Sequence, residues 1–316
     1  MNFVKIPENG ASWTGTLCYT IATGLDLPSD VSVEIVDAIS GELLGRRRLY
    51  SITEAEFDIA PYVRNAVADA TPSSETIALS PSARCVVVRA GGVESPRRMF
   101  YRAAVDCAKA HMLSSAKQPS VVARGDAIRL TLFARSAVRV TVVNKSVPSP
   151  IALSTINTEG MPVEVAISTS SYTGLSDTIS VTIVLDNMYT LSYVYNIIEP
   201  APLCRRIAWY NTEGGIECYT FPRSVRESVG AELMANISGH APRLRGIVAR
   251  YRLLSAVEMR EEVERIVGIV FSPEVFECSD KECSRVKLVD RTIAFDDHGG
   301  LRRVELNIEK EWGQRL

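Results

Sequence analysis

The chain has 316 residues, enough for two or three domains and too many for one ordinary all-β domain. Its 35 Lys and Arg nearly balance 37 Asp and Glu, which argues against a strongly basic nucleic-acid coat and against an acidic solvating tail. Hydrophobic residues make up 46%, so real cores are expected and wholesale disorder is excluded.

Met1 to Tyr19 lacks the basic start, apolar centre and small-residue cleavage site of a secretory signal, and no stretch nears the roughly 18 apolar residues needed to cross a bilayer. Synthesis in a cytoplasm is the expectation, with the seven cysteines (Cys18, Cys85, Cys107, Cys204, Cys218, Cys278 and Cys283) reduced rather than forming a disulfide framework. In chain order, Val31–Ile35 alternates with period two and is followed by a Ser40-Gly41-Glu42 turn and a return strand over Leu43–Ile52. Asp58 and Pro61 suit the start of a short helix running through Val67. Strands are expected at Arg84–Arg89 and Arg98–Arg102, flanking a Gly91-Gly92 turn.

Strict alternation recurs at Ile128–Leu132, Val138–Val142, Val163–Ile167 and Ile179–Ile183, separated by turn residues, and Tyr189–Ile197 adds a further strand. Short strands in this pattern predict a β-sandwich. Past Glu199-Pro200-Ala201-Pro202, Ile207–Tyr210 and Ile216–Phe221 flank Asn211-Thr212-Glu213-Gly214-Gly215 as a hairpin, the glycines supplying positive φ. Leu244–Leu254 reads as a long strand, and Ser255-Ala256-Val257-Glu258 as a capping box that opens a helix to about Gly268. On that helix Met259, Val263, Ile266 and Val270 share one face, with Glu261, Glu262, Glu264 and Arg265 solvated. Strands near Val286–Val289, Thr292–Phe295 and Arg303–Ile308 close the chain. The predicted fold is thus mainly β. It comprises an N-terminal β-rich domain (1–107), a β-sandwich domain (108–200), and a C-terminal β domain with one amphipathic helix (201–316).

Few residues are placed for chemistry. Asp296-Asp297-His298 groups two carboxylates with an imidazole, but Gly299-Gly300 follows and two strands flank it, so the run reads as a polar hairpin turn. Cys204, Cys218, Cys278 and Cys283 lack the spacing of a zinc knuckle, and His111 and His240 lack partners at ligand spacing. There is no G-x-S-x-G elbow, P-loop or dinucleotide fingerprint, so neither a catalytic residue nor a metal or cofactor is expected. Tyr189, Tyr193 and Tyr195 occupy odd positions of one strand. They read either as cross-strand and core partners or as an aromatic platform for a glycan or peptide. Arg46-Arg47-Arg48 suits a guarded strand edge, and Arg97-Arg98, Arg205-Arg206 and Arg302-Arg303 suit polar protein–protein rims better than nucleic acid.

Trp209-Tyr210-Asn211-Thr212-Glu213-Gly214-Gly215-Ile216-Glu217-Cys218-Tyr219-Thr220-Phe221 resembles an aromatic–Asn–Gly–Gly–aromatic–Phe hairpin found in structural proteins of phages and prophages of Bacteroidetes. Phe271-Ser272-Pro273-Glu274-Val275, then a polar hairpin and the strand Val304–Ile308, is similar to the end of those proteins. The resemblance implies a non-enzymatic virion component of tail, baseplate or neck, made in a bacterial host cytoplasm. It implies assembly with copies of itself and with other virion proteins, without direct contact to nucleic acid or membrane. It brings no catalytic residues. The alternative is a carbohydrate- or surface-binding module on the same kind of particle, using the tyrosine strand.

Overall fold

The computed structural model describes all residues except 26, 69–70, 74, 104–108, 116–119, 146, 159, 173–176, 235–242, 273, 299–300 and 312–316. Cys107, His240 and the Gly299-Gly300 turn lie outside the described residues, as do parts of the chain on either side of the predicted border between 1–107 and 108–200. The chain is mainly β, a series of sandwich-like units ending in a β-rich unit with one amphipathic helix. No described helix is long and apolar enough to cross a membrane.

The first hundred residues form β1 (Asn2–Lys5), β2 (Cys18–Ala22), β3 (Ser29–Asp37), β4 (Leu43–Ile52), β5 (Glu54–Asp58), α1 (Ala60–Ala68), β6 (Ile77–Leu79), β7 (Ala83–Ala90), β8 (Val93–Glu94) and β9 (Arg98–Tyr101). A β1-β2-β5 sheet and a β4-β3-β7-β8 sheet, with β9 also on β7, share a core around Tyr19, Ile21, Val33, Ile35, Val86 and Phe100. Asp58 Oδ1 accepts from the amides of Ala60 (2.9 Å) and Leu17 (2.7 Å), so the predicted cap also ties the helix to the preceding loop. Arg46 and Arg48 lie on the edge strand β4 and pair across the ladder with Glu34 and Asp30. These pairs are exposed and contribute little energy; their charge discourages a further strand from adding there.

The middle of the chain forms β10 (His111–Met112), β11 (Ser120–Ala123), β12 (Ala127–Phe133), β13 (Ala137–Asn144), β14 (Val147–Asn157), β15 (Pro162–Ser168), β16 (Asp177–Leu185) and β17 (Tyr189–Ile198). Two sheets result, ordered β10-β12-β15-β6 and β11-β17-β16-β13-β14, with β11 parallel to β17. Ile128, Leu130 and Leu132 share a core with Val138, Val140, Ile179, Val181 and Ile183 of the other sheet. Strand β16 alternates buried and half-buried positions, as its sequence predicts. By contrast every residue of β12, and all of β15 but its last, is buried on both faces. Strand β6 comes from the first third of the chain yet pairs with β15, Ile77 opposite Val165 and Leu79 opposite Val163.

The last third forms β18 (Arg205–Tyr210), β19 (Ile216–Phe221), β20 (Arg223–Met234), β21 (Arg243–Met259), α2 (Arg260–Phe271), β22 (Val275–Cys278), β23 (Cys283–His298) and β24 (Leu301–Glu311). They make one seven-stranded sheet, ordered β19-β18-β22-β23-β24-β21-β20. Val263, Ile266 and Ile269 of α2 pack with Trp209, Phe221, Leu253 and Leu306.

Several sequence expectations change here. Ser255–Glu258 does not cap a helix: β21 continues to Met259 because Ser255 pairs with Val304 and Met259 with Leu301, and α2 starts at Arg260. The ladder outweighs the local capping signal, and Ser255 is buried with its hydroxyl 2.9 Å from the Tyr219 hydroxyl. The two strands expected at Val286–Val289 and Thr292–Phe295 are one strand, β23, whose register shifts between Leu288 and Ile293, with Arg291 at φ 45°. Cys278 and Cys283 are joined in a disulfide rather than reduced, since antiparallel pairing sets them directly opposite each other with Cα atoms 4.1 Å apart. Cys18, Cys85, Cys204 and Cys218 are not disulfide-bonded.

Candidate functional site

The Asn211–Gly215 hairpin is where the units of the chain meet. Asn211 Oδ1 accepts from the amides of Glu213 (2.9 Å) and Gly215 (2.8 Å), which closes the turn from inside. Gly214 supplies the expected positive φ, 83°. Gly215 is needed for a different reason: a Cβ there would lie 2.1 Å from the Leu113 carbonyl oxygen and 2.6 Å from the Ser114 nitrogen, so only glycine lets the two backbones touch. Across that contact Asn211 Nδ2 donates to Leu113 O (2.8 Å), Ser114 Oγ donates to Ile216 O (2.6 Å), and the Ile216 amide donates to Thr131 Oγ1 (2.9 Å).

Two buried carboxylates organise the junction. Glu217, 3% exposed, accepts at Oε1 from the Ser115 amide (2.6 Å) and hydroxyl (2.7 Å) and from Asn211 Nδ2 (2.8 Å), and at Oε2 from Arg265 Nη1 (3.1 Å). Arg265 also binds Glu262 and lies 5.7 Å from the Trp209 ring, so the arginine expected to be solvated is instead the link from α2 to the hairpin. Glu164, 2% exposed, accepts at Oε1 from Ser80 Oγ and from Tyr210 Oη, both at 2.9 Å, joining residues of all three parts of the chain. Burial pushes the Glu164 carboxyl above its ordinary range against the opposing pull of those two donors. The Tyr210 hydroxyl is pushed up as well, by burial first and then by the Glu164 charge. Above Tyr210 the Arg102 guanidinium sits 4.8 Å from the ring centroid and pairs with Glu274 at 2.7 Å.

Two hollows open beside this hairpin. One, about 920 Å³, is lined by Arg102, Trp209, Asn211, Glu217, Arg265 and Phe271 among others. The other, about 480 Å³, lies between the middle sandwich and the C-terminal sheet, with Arg129, Tyr195, Arg206 and Cys218 on its wall. Burial raises the Cys218 thiol above its ordinary value despite the neighbouring arginines, which leaves it protonated and a poor nucleophile.

The tyrosines of β17 divide. Tyr195 is 4% exposed in the sandwich core, Tyr193 is half-buried against it, and Tyr189 is 46% exposed at the strand start. Their shared face therefore turns inward and offers a single exposed ring. Asp296, Asp297 and His298 pair with Arg303, Arg302 and Leu301 across the β23–β24 hairpin, and the side chains of this run lie outside the described residues. His111 Nδ1 is 2.9 Å from Lys109 O, and its ring is 5.6 Å from that of Phe133. Arg205 pairs with Glu277 and stacks 4.0 Å from the Tyr251 ring, while Arg206 is buried rather than on a rim. Among the described residues no group of three or more His, Cys, Asp or Glu is placed to hold a metal ion. Sequence reasoning passed over Arg129, Glu164 and Glu217, whose common signal is a charge on a strand that another unit of the chain covers, and it read Arg265 as solvated.

No protein-family profile and no curated protein matches the chain. Among solved structures it is similar to CBD12 from CALX1.2 (12% identity, 55% of this chain and 76% of that one, TM-score 0.18). It is similar also to a chimeric titin Z1Z2 carrying a KLER peptide from decorin (16% identity, 63% and 95%, TM-score 0.21) and to DIP-gamma IG1+IG2 (9% identity, 63% and 96%, TM-score 0.17). At these scores the likenesses carry no argument about what the chain does.

Proposed function

We propose that the protein is a non-enzymatic structural component of a phage or phage-like particle, of tail, baseplate or neck, that is made in the bacterial host cytoplasm and acts by assembling with copies of itself and with other virion proteins. The observation that carries this reading is the ribbon formed by β20 and β21. β20 ends the seven-stranded sheet and pairs with β21 alone, leaving its other edge open among the described residues. Arg226 to Ala231 are all exposed, so both faces of this stretch stand clear of the core. Beyond the pairing of Val248 with Glu311, the ribbon is two-stranded among the described residues. A two-stranded ribbon in water is marginally stable by itself, and an open edge of this length is a template for adding a strand from another chain. Nothing in the placement of Tyr189, Tyr193 and Tyr195 favours the glycan-binding alternative over assembly.

Sedimentation of the full chain tests the proposal. The wild type is expected to form a defined oligomer, alone or with co-expressed neighbouring gene products. Val229→Lys with Ala231→Lys, which puts like charges along the open edge, is expected to leave the secondary structure intact and release monomer. A wild type that stays monomeric alone and with those products refutes the proposal, as does a double-lysine variant that assembles unchanged.

A further inference from the structure

The 480 Å³ cavity is lined by Arg129, Arg206 and Arg265 and by Glu199, Glu217 and Glu262. Three side chains on its wall are more than nine-tenths buried and end in polar atoms with no hydrogen-bond partner among the described residues. Arg129 (5% exposed) leaves Nε and Nη2 unmatched, Arg206 (7%) leaves Nε, and Tyr195 leaves its hydroxyl. Each guanidinium is otherwise anchored, Arg129 through Nη1 to Ser73 O (2.6 Å) and Arg206 through Nη1 to Thr220 Oγ1 (2.8 Å). The unmatched donors are thus held in place. A buried donor without an acceptor costs more than an ordinary hydrogen bond returns, and the cost rises for a charged group.

The carboxylates on the same wall are already engaged elsewhere. Glu217 is taken by Ser115, Asn211 and Arg265, Glu262 by Arg265, and Glu199 by Arg124. Asp126, which is not on the wall, stands 3.9 Å from Arg206 and accepts from Thr220 (2.9 Å). Glu164, which also has one unmatched oxygen, is not on this wall. What the cavity offers is therefore two anchored guanidinium groups with N–H groups left unmatched, at Arg129 Nε and Nη2 and at Arg206 Nε, and the unmatched Tyr195 hydroxyl, in a volume within the range of small-ligand sites. Guanidinium N–H groups match the oxygens of carboxylates and phosphates in spacing and charge.

We propose that this cavity binds a small oxyanion, a phosphate or a carboxylate, through Arg129, Arg206 and Tyr195. Arg129 and Tyr195 belong to the middle sandwich and Arg206 to the C-terminal sheet, so the bound anion would tie these two parts of the chain together. The site is independent of whether the open edge of β20 pairs with another chain.

The test is a titration of the full-length protein with inorganic phosphate and with malonate, against sodium chloride at matched ionic strength, read by thermal denaturation and by calorimetry. A saturable rise in Tm with phosphate, malonate or both, beyond that with chloride, is expected, and which anion acts identifies its source chemistry. Tyr195→Phe keeps the ring in the core and is expected to weaken binding about tenfold, the worth of one hydrogen bond to a charged group. Arg129→Met is expected to weaken it further. Phosphate and malonate that stabilise no more than chloride overturn the proposal. So does equal binding by the wild type and Tyr195→Phe, a variant that remains informative if Arg129→Met fails to fold.

Discussion

Gly215→Ala should be among the most damaging single-methyl additions the chain can suffer. The added Cβ would lie 2.1 Å from Leu113 O, 2.3 Å from Leu113 C and 2.6 Å from Ser114 N. All three are backbone atoms, which cannot rotate aside as a side chain can. Restoring even a 3.0 Å separation requires the two segments to part by about 0.9 Å. The bonds crossing that contact, Asn211 to Leu113 (2.8 Å), Ser114 to Ile216 (2.6 Å) and Ile216 to Thr131 (2.9 Å), would then stretch beyond useful length. At about 1 kcal/mol net for each, and more where a buried group is left unpaired, the loss is about 3 kcal/mol or above. Gly214→Ala is the internal comparison. Its φ of 83° imposes backbone strain of about 1–2 kcal/mol, and its nearest neighbour would be the Arg102 Cβ at 3.2 Å. Urea unfolding of the full chain, followed by tryptophan fluorescence and circular dichroism, measures both variants. A Gly215→Ala midpoint equal to that of the wild type, or a loss no larger than that of Gly214→Ala, would refute the claim that the hairpin is seated backbone against backbone.

Two further predictions concern proton linkage. The raised pKa of Glu164 means that the folded chain holds this proton more tightly than the unfolded chain does. Its stabilising share is complete below the ordinary glutamate value of 4.5 and is lost as pH climbs through the raised folded value. Glu164→Gln is expected to flatten this decline, so that its stability relative to the wild type improves as pH rises above 4.5; a difference that stays constant from there to neutrality contradicts the assignment. Asp186 behaves in the opposite sense. Burial opposes its charge, but the amides of Ser136, Arg135 and Ala137 and the Ser136 hydroxyl outweigh burial and hold its pKa below the ordinary range. Its contribution is present above the ordinary aspartate value of 3.8 and disappears as pH falls through the lowered folded value. Asp186→Asn should cost about 1–2 kcal/mol near neutrality and progressively less in acid, measured by the same unfolding assay.

Much of this architecture is legible from alternation, because a strand with one face on a core must repeat with period two. Ile179–Ile183, Val138–Val142 and Val31–Ile35 fall within strands for that reason. Alternation does not tell what lies on the other face. Arg129 and Thr131 in β12, and Glu164 in β15, occupy the positions that read as wet, yet the C-terminal hairpin or neighbouring segments cover them. The junction was invisible for that reason: its charges look like surface charges until a second unit is laid upon them. The same limit explains Arg265, whose place on the polar side of α2 is correct and whose solvation is not. Ser255 failed in another way. A four-residue capping signal carries about 1 kcal/mol, less than the ladder and core contacts that hold its strand extended. Tyr195 illustrates the converse, since its odd-numbered position correctly grouped it with Tyr193 and left open which way that face would point.

The pairing of β6 with β15 has a consequence in time as well as in space. Ile77–Leu79 emerges from the ribosome more than eighty residues ahead of Pro162–Ser168, the strand it must join. Until that later stretch is synthesised, its edge remains open and the nascent first unit carries a loose tether rather than a finished boundary. Vectorial synthesis therefore cannot complete the molecule one bead after another: closure of the sandwich reaches back to recruit a piece of chain made earlier, so those two stages of folding are coupled.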